Sequence, residues 1–322
     1  MKPNFLTLTL CAAGLGASSL IAPAAPLQRA DVMADPAWLL HLDCDALRPT
    51  TIGQYVLAEM DKPEAKAKLA AFQAIFSFDL RTQLHGVTLY GSSQAPEDAA
   101  LIVYADFDPD RLVTLVKVAK EFQSSMHNQH VTYSWIDEKK KAKDGVKPRV
   151  YAAIQGNRVI LAQHEDRVAA ALDVLDLVTP SLATSKAFPD LGVPGNGHFI
   201  EAAAHKFNLP DSDPNATILK LSKSVQAVMG EKQQQIQGTL RLVADNDEVA
   251  GHVFSIAQGL VALMKLQTNK PETARLANAL EITQDGSTIL GNLNMPASEA
   301  VEIMKADAAR KAAAQAAKET KE

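Results

Sequence analysis

Apolar and polar positions along this chain repeat with two periods, and the switches between them mark the elements. Residues 38–43 alternate as a strand, with Leu40, Leu42 and Cys44 on one face and His41, Asp43 and Asp45 on the other. After Asp61-Lys62-Pro63, where proline suits the first helical turn, Ala65, Leu69, Phe72 and Phe76 recur at helical spacing. Residues 86–90 and 99–107 read as strands around a turn at 91–98. Asp108-Pro109 then supplies a capping carboxylate and a proline for a helix whose apolar face is Leu112, Leu115, Val116, Ala119 and Phe122. A strand at 131–136 follows. Residues 149–154 and 158–163 make a hairpin about Gly156-Asn157, which leads into a helix carrying Val168, Ala171, Leu172 and Leu175.

A second copy of this order is predicted further on. It has strands at 217–221, 238–242 and 249–254 and a helix with Leu260, Val261, Met264 and Leu266. A hairpin about Asp285-Gly286 and a last helix from Pro296, with Val301 and Met304, complete it. The pattern predicts an α+β fold of two related two-layer sandwich modules. Each is a mostly antiparallel sheet with helices on one face, in a ferredoxin-like order plus an extra hairpin and helix. The modules span 25–178 and 197–305, with a Pro/Gly/Ser/Thr-rich linker at 179–196 and an Ala/Lys/Glu-rich helical or disordered tail at 306–322. Two such sheets can pair edge to edge or pack through their helices.

The first residues change the compartment. Lys2 precedes an uncharged apolar and small-residue run, and Ala22-Pro23-Ala24 fits a cleavage site, so 1–24 reads as a signal peptide. The mature chain then begins near Ala25 and is periplasmic or secreted, with no later segment apolar enough to span a membrane. Cys11 is preceded by Leu10 rather than the small residue a lipid-attachment signal needs. Cleavage leaves Cys44 without a disulfide partner. Hydrophobic residues at 47% and charged residues at 21% describe a globular chain, not a disordered one. A net charge of -5 carries no basic footprint and argues against nucleic acid as a partner.

Candidate chemistry is sparse. His41, Asp43 and Asp45 are metal-ligand types in one strand row about 7 Å apart, though a polar outer strand face accounts for them more simply. His127 and His130 could gather a metal with His164, His198, His205 or His252, or could be ordinary surface histidines. Asp106, Asp108 and Asp110 imitate the opening of a calcium loop, but Arg111 and Lys117 stand where that loop needs Gly and Glu. The lysines of 137–148 read as a solvated loop, and the glycines of 192–197 as a flexible linker without a phosphate-binding frame. No catalytic residue, cofactor or metal site is assigned. Cys44 has no basic neighbour to activate it, and no nucleophile elbow occurs.

The signal peptide, the strand near Trp38, the segment 90–112 and the closing hairpin and helix of 280–304 resemble uncharacterised exported bacterial proteins with tandem α+β modules. The resemblance covers most of the mature chain and implies no catalytic residue. The expectation is an exported, non-catalytic binding or interaction protein that contacts another protein or a cell-envelope component. One alternative is a hydrolase with its site at the junction of the modules. Another is a small-ligand carrier, which requires an apolar cavity of a few hundred Å³.

Overall fold

The computed structural model describes residues 26–140, 147–193, 195–207, 219–267 and 270–319. The expected signal peptide, part of the lysine-rich loop and residues 217 and 218 of the strand expected at 217–221 lie outside the described residues. The rest of that strand does not form, because 219 and 220 are helical and 221 is a turn that leads into the sheet.

The fold is α+β, and among the described residues twelve strands form one antiparallel sheet. They are β1 Trp38–Asp43, β2 Leu84–Gly91, β3 Ala99–Ala105, β4 Gln123–His127, β5 His130–Ile136, β6 Arg149–Gln155, β7 Arg158–Ala162, β8 His198–His205, β9 Ser222–Lys232, β10 Gln235–Ala244, β11 Leu280–Asp285 and β12 Thr288–Pro296. Their spatial order is β11-β12-β10-β9-β8-β1-β2-β3-β7-β6-β5-β4. The two halves therefore join edge to edge, through the pairing of β1 with β8 that sets Leu40 opposite Ala202. Each half closes the other's open strand edge, which removes unpaired backbone groups.

The helices are α1 Cys44–Leu47, α2 Thr51–Met60, α3 Pro63–Phe76, α4 Pro109–Lys117, α5 Glu165–Leu175, α6 Asp247–Lys265, α7 Pro271–Asn278 and α8 Ala297–Glu319. Helix α2 shows how the halves interlock. Its first turn is capped by Thr50, and Glu231 on β9 accepts from Thr51 N at 2.8 Å and from Thr51 Oγ1 at 2.6 Å. Helix α8 crosses the predicted tail boundary without a break. An ion pair from Arg310 to Glu272 on α7 and one of 2.7 Å from Lys311 to Asp307 hold it there.

The strand expected at 249–254 is helical. Asn246 accepts from Val249 N at 2.9 Å, Asp247 and Glu248 fill the first turn, and Ala250 and Val253 bury one helical step apart. The segment 179–192 is part of the core rather than a loose tether. Leu182 N donates to Val32 O at 2.8 Å, and Leu182, Phe188 and Leu191 are buried. Arg29 clamps this segment: its guanidinium donates to the carbonyls of Phe188, Leu191, Leu182 and Ala187 at 2.6–3.1 Å. Further on, Gly192 takes a positive φ of 69°, and its N–H donates to Glu201 at 2.6 Å, so this turn too is tied to the sheet.

The main core lies on one sheet face, where Leu39, Ile102 and Ile160 meet Val168 and Leu172 of α5 and the segment 182–191. The opposite face carries α3 and α4 over the first half and α6 over Leu242 and Ile289 of the second.

Candidate functional site

The strand predicted at 38–43 forms, but its faces are the reverse of the expectation. His41 and Asp43 are 1% and 3% exposed, whereas Leu40 is 45% exposed. Alternation fixes which residues share a face; the covering elements decide which face is inside. His41 Nδ1 lies 2.8 Å from Thr88 Oγ1, and His41 sits in register between Thr88 and Glu201. Asp43 caps α1 by accepting from Ala46 N at 2.8 Å. Burial raises the pKa of Asp43, against the lowering effect of that hydrogen bond. Burial likewise raises the pKa of Glu201. Tyr104 nearby donates to Asp31 at 3.0 Å, and Arg158 pairs with the same carboxylate at 2.8 Å. Asp31, His41, Asp43, Thr88 and Glu201 are buried in this row, and Arg158 is partly exposed.

Asp45 leaves the row because the chain turns into α1. It pairs with Arg48 at 2.5 Å and with His85 at 3.0 Å, and Asp106 holds the other ring nitrogen of His85 at 3.1 Å. Burial disfavours the charged imidazole, but the two carboxylates outweigh it and raise its pKa. Burial also pushes the Cys44 thiol up to about 11, away from the reactive range. His127 is bonded to Asp173 of α5 at 2.7 Å and His130 to Asp176, which caps that helix, at 2.8 Å, and so the two clasp the β4–β5 hairpin to it. The five residues singled out in the sequence thus fall in three separate places. Among the described residues, no group of three or more His, Cys, Asp or Glu side chains is placed to hold a metal ion.

What sequence reasoning missed is on the other face. The register there aligns one residue from each strand between β5 and β11: Tyr133, Ala152, Leu161, Leu101, Leu89, Leu40, Ala202, Ala227, Leu240, Gly291 and Ile282. An apolar track therefore crosses the sheet from β5 to β11. Over its first part ride α3 and α4. Proline starts both helices, and Asp108 caps α4 by accepting from Asp110 N at 3.0 Å and Arg111 N at 3.2 Å. Ser77 ends α3 with φ 60°, and the chain returns to β2 through Phe78 and Leu80. Arg111 of α4 donates to the carbonyls of Ile75 and Ala74 at 3.0 and 3.3 Å, which ties the two helices into one cover.

That cover packs only partly: the apolar stripes of α3 and α4 are half-buried, and neither helix contains a fully buried residue. Beneath it lies a half-open cavity of about 460 Å³. Phe72, Phe76 and Phe78 form its roof, with the Phe72 ring 4.4 Å from Phe76 and 5.2 Å from Phe78. Leu112, Leu115 and Val116 of α4 complete the roof, and Tyr133, Trp135, Ile154, Val159, Leu161, Leu101 and Val103 form the floor. Among the described residues no charged side chain lines the cavity, and its wall is almost wholly apolar. The signal for it was present in the sequence as helical apolar stripes at 65–76 and 112–122 over a sheet apolar on that face, although α4 ends at Lys117, so Ala119 and Phe122 lie beyond the helix they were expected to extend. Such stripes normally announce a packed core.

No family model matches the chain, and no curated protein matches it. Among solved structures, crystal forms of TP0453, a Treponema protein, are similar. Form III aligns with a TM-score of 0.47 at 9% identity, covering 87% of this chain and 98% of that one. Form I gives 0.47 at 10% identity over 88% and 98%, and form IV gives 0.44 at 8% over 88% and 97%. A likeness at this level implies no shared ligand or activity.

Proposed function

We propose that the chain is an exported, non-catalytic carrier that holds an apolar ligand in the cavity beneath α3 and α4. The observation that carries this reading is the cavity itself: about 460 Å³, apolar throughout, under two helices without a fully buried residue. Its size lies within the usual range for ligand sites of ~300–1,000 Å³. Empty, it forfeits dispersion contacts along its whole lining, and an apolar occupant restores them.

An apolar cavity of ~150 Å³ holds one benzene, so three such volumes here take a chain of about eighteen carbons. At ~0.8 kcal/mol per buried methylene the gross gain is about 14 kcal/mol. Subtracting about 6 kcal/mol for association leaves about 8, which corresponds to micromolar affinity. The leader read at 1–24 supports delivery outside the cytoplasm, and no helix among the described residues is long and apolar enough to cross a membrane. Chemistry is the weaker reading of the same molecule, because Asp45, His127 and His130 are paired with other side chains and His41 and Asp43 are buried on the opposite face from the cavity.

The test is native mass spectrometry on protein recovered from the exported fraction of its own host. The reading expects a chain starting near Ala25 with an added mass that organic solvent extracts as a hydrocarbon-bearing molecule. Protein that comes through bare, and that takes up no apolar fluorophore at micromolar concentration, overturns it.

A further inference from the structure

A second hollow, of about 400 Å³, adjoins the cavity on the same sheet face. Leu101 and Leu161, register partners on β3 and β7, line both hollows, so the two meet over that pair. Strand geometry sets the scale. Val103 lies in the first hollow and Ala99 in the second, and four residues of strand span about 13 Å. The two hollows together form one trough along the strands, roofed at the α3–α4 end and open at the end where Trp38 and Pro96 stand.

The ends differ chemically. The roofed end offers almost no polar surface. The open end carries two side-chain amides, Gln94 and Gln163. Gln94 Nε2 reaches the His205 carbonyl at 3.5 Å, a long contact that leaves the amide able to take a better partner. Among the described residues, no Asp, Glu, Lys or Arg lines either hollow. An amide both donates and accepts, so a pair of them suits a hydroxyl, ester or amide group. An ionised head would be partly desolvated there without a counter-charge, which is costly. The wall at this end is fixed, because Trp38 Nε1 donates to Ser93 O at 2.8 Å and its ring lies against Gly91, where a Cβ would come within 2.5 Å of Nε1.

We infer that the ligand is a neutral, single-chain amphiphile held in one orientation, its hydrocarbon tail under α3 and α4 and its polar head between Gln94 and Gln163. This inference rests on the carrier reading and deepens it. The track beyond Leu89 toward Leu40 remains open sheet surface and is not needed for a single chain.

The chain contains two tryptophans, and the trough places one in each hollow: Trp135 beneath the roof and Trp38 at the open end. Each therefore reports its own compartment. The experiment uses the full mature chain as W38F and W135F, with long alkyl alcohols brominated either at the tail terminus or beside the hydroxyl. The tail-brominated alcohol is expected to quench Trp135 and spare Trp38, and the head-brominated alcohol the reverse. Equal quenching of both tryptophans, or the opposite polarity, overturns the orientation while leaving the carrier reading intact. No quenching of the unsubstituted chain by either probe overturns the carrier reading itself.

A second arm needs no tryptophan variant. The unsubstituted chain is titrated with an alkyl alcohol and with the carboxylate and trimethylammonium of equal chain length, well above the carboxylate titration range. The alcohol is expected to bind about tenfold more tightly than either ion, a preference of about 1.4 kcal/mol. Gln94→Ala and Gln163→Ala are each expected to weaken the alcohol about fivefold and to leave a plain alkane unaffected. A charged probe that binds as well as the alcohol, or alcohol binding indifferent to both substitutions, overturns the neutral-head assignment.

Discussion

Ala152→Phe turns the cavity into a ruler. Ala152 sits on β6 between Tyr133 and Leu161, is buried, and faces the space beneath α3 and α4. A phenyl ring placed there fills about one benzene volume, ~150 Å³ of the 460 Å³ present. The remaining space then takes about twelve carbons instead of about eighteen. Six excluded methylenes at ~0.8 kcal/mol each amount to about 5 kcal/mol, a several-thousand-fold loss for the longest chain. Alcohols of about twelve carbons or fewer lose little, because they fit the shortened space. Stability moves the other way or not at all. The ring buries apolar area worth ~1.5–3 kcal/mol, offset by ~1–3 kcal/mol if the core must shift to admit it. The assay is Trp135 fluorescence titrated with alcohols of increasing length, alongside a thermal melt. The expected result is a length optimum shortened by about six carbons at nearly unchanged melting temperature. An unshifted length profile in a folded variant refutes the placement of the ligand.

Other substitutions test the frame around the cavity. Glu201→Gln probes the buried polar row. Burial raises the folded pKa of Glu201 above its ordinary 4.5, so its favourable contribution is present below that value and is lost as pH rises through the folded pKa. The amide variant should therefore melt higher than the parent at pH 7 and lose that advantage at pH 4; a pH-independent difference refutes the assignment. Arg29→Ala removes the guanidinium from four carbonyls and should cost about 2–4 kcal/mol, with new proteolytic cutting within 182–192 as the readout. Asp108→Ala removes the α4 cap and should cost about 1 kcal/mol, seen as faster amide exchange in α4 while exchange in β3 stays slow. Leu172→Ala, fully buried between α5 and the sheet, should cost about 2–5 kcal/mol in chemical denaturation without altering the chain-length profile.

Elements whose instructions are local were legible. Asp108-Pro109 starts α4, Gly156-Asn157 turns β6 into β7, and Gly286, at φ 53°, turns β11 into β12. Elements that depend on neighbours were not. Strand β8 contains Ala202, Ala203 and Ala204, poor strand formers, and is held in the sheet by the ladders of β1 and β9. Residues 249–254 can satisfy either period, and the Asn246 cap decides for the helix. Of the five side chains singled out for chemistry, His41 and Asp43 became core, and Asp45, His127 and His130 became partners in hydrogen bonds and ion pairs.

By itself, the order of residues determined the α+β class, the antiparallel hairpins, most strand positions in the first half and the parity of each strand, because caps, turns and alternation act within a few residues. The tertiary structure alone decided which side of β1 is buried, that the halves share one sheet, and that α3 and α4 stand off its face. Those outcomes depend on surfaces brought together from residues 72 to 161, and on α5 and the segment 182–191 covering the opposite side. An apolar stripe specifies that a helix seeks an apolar face, but not how closely it will sit, and the space left between them is the cavity.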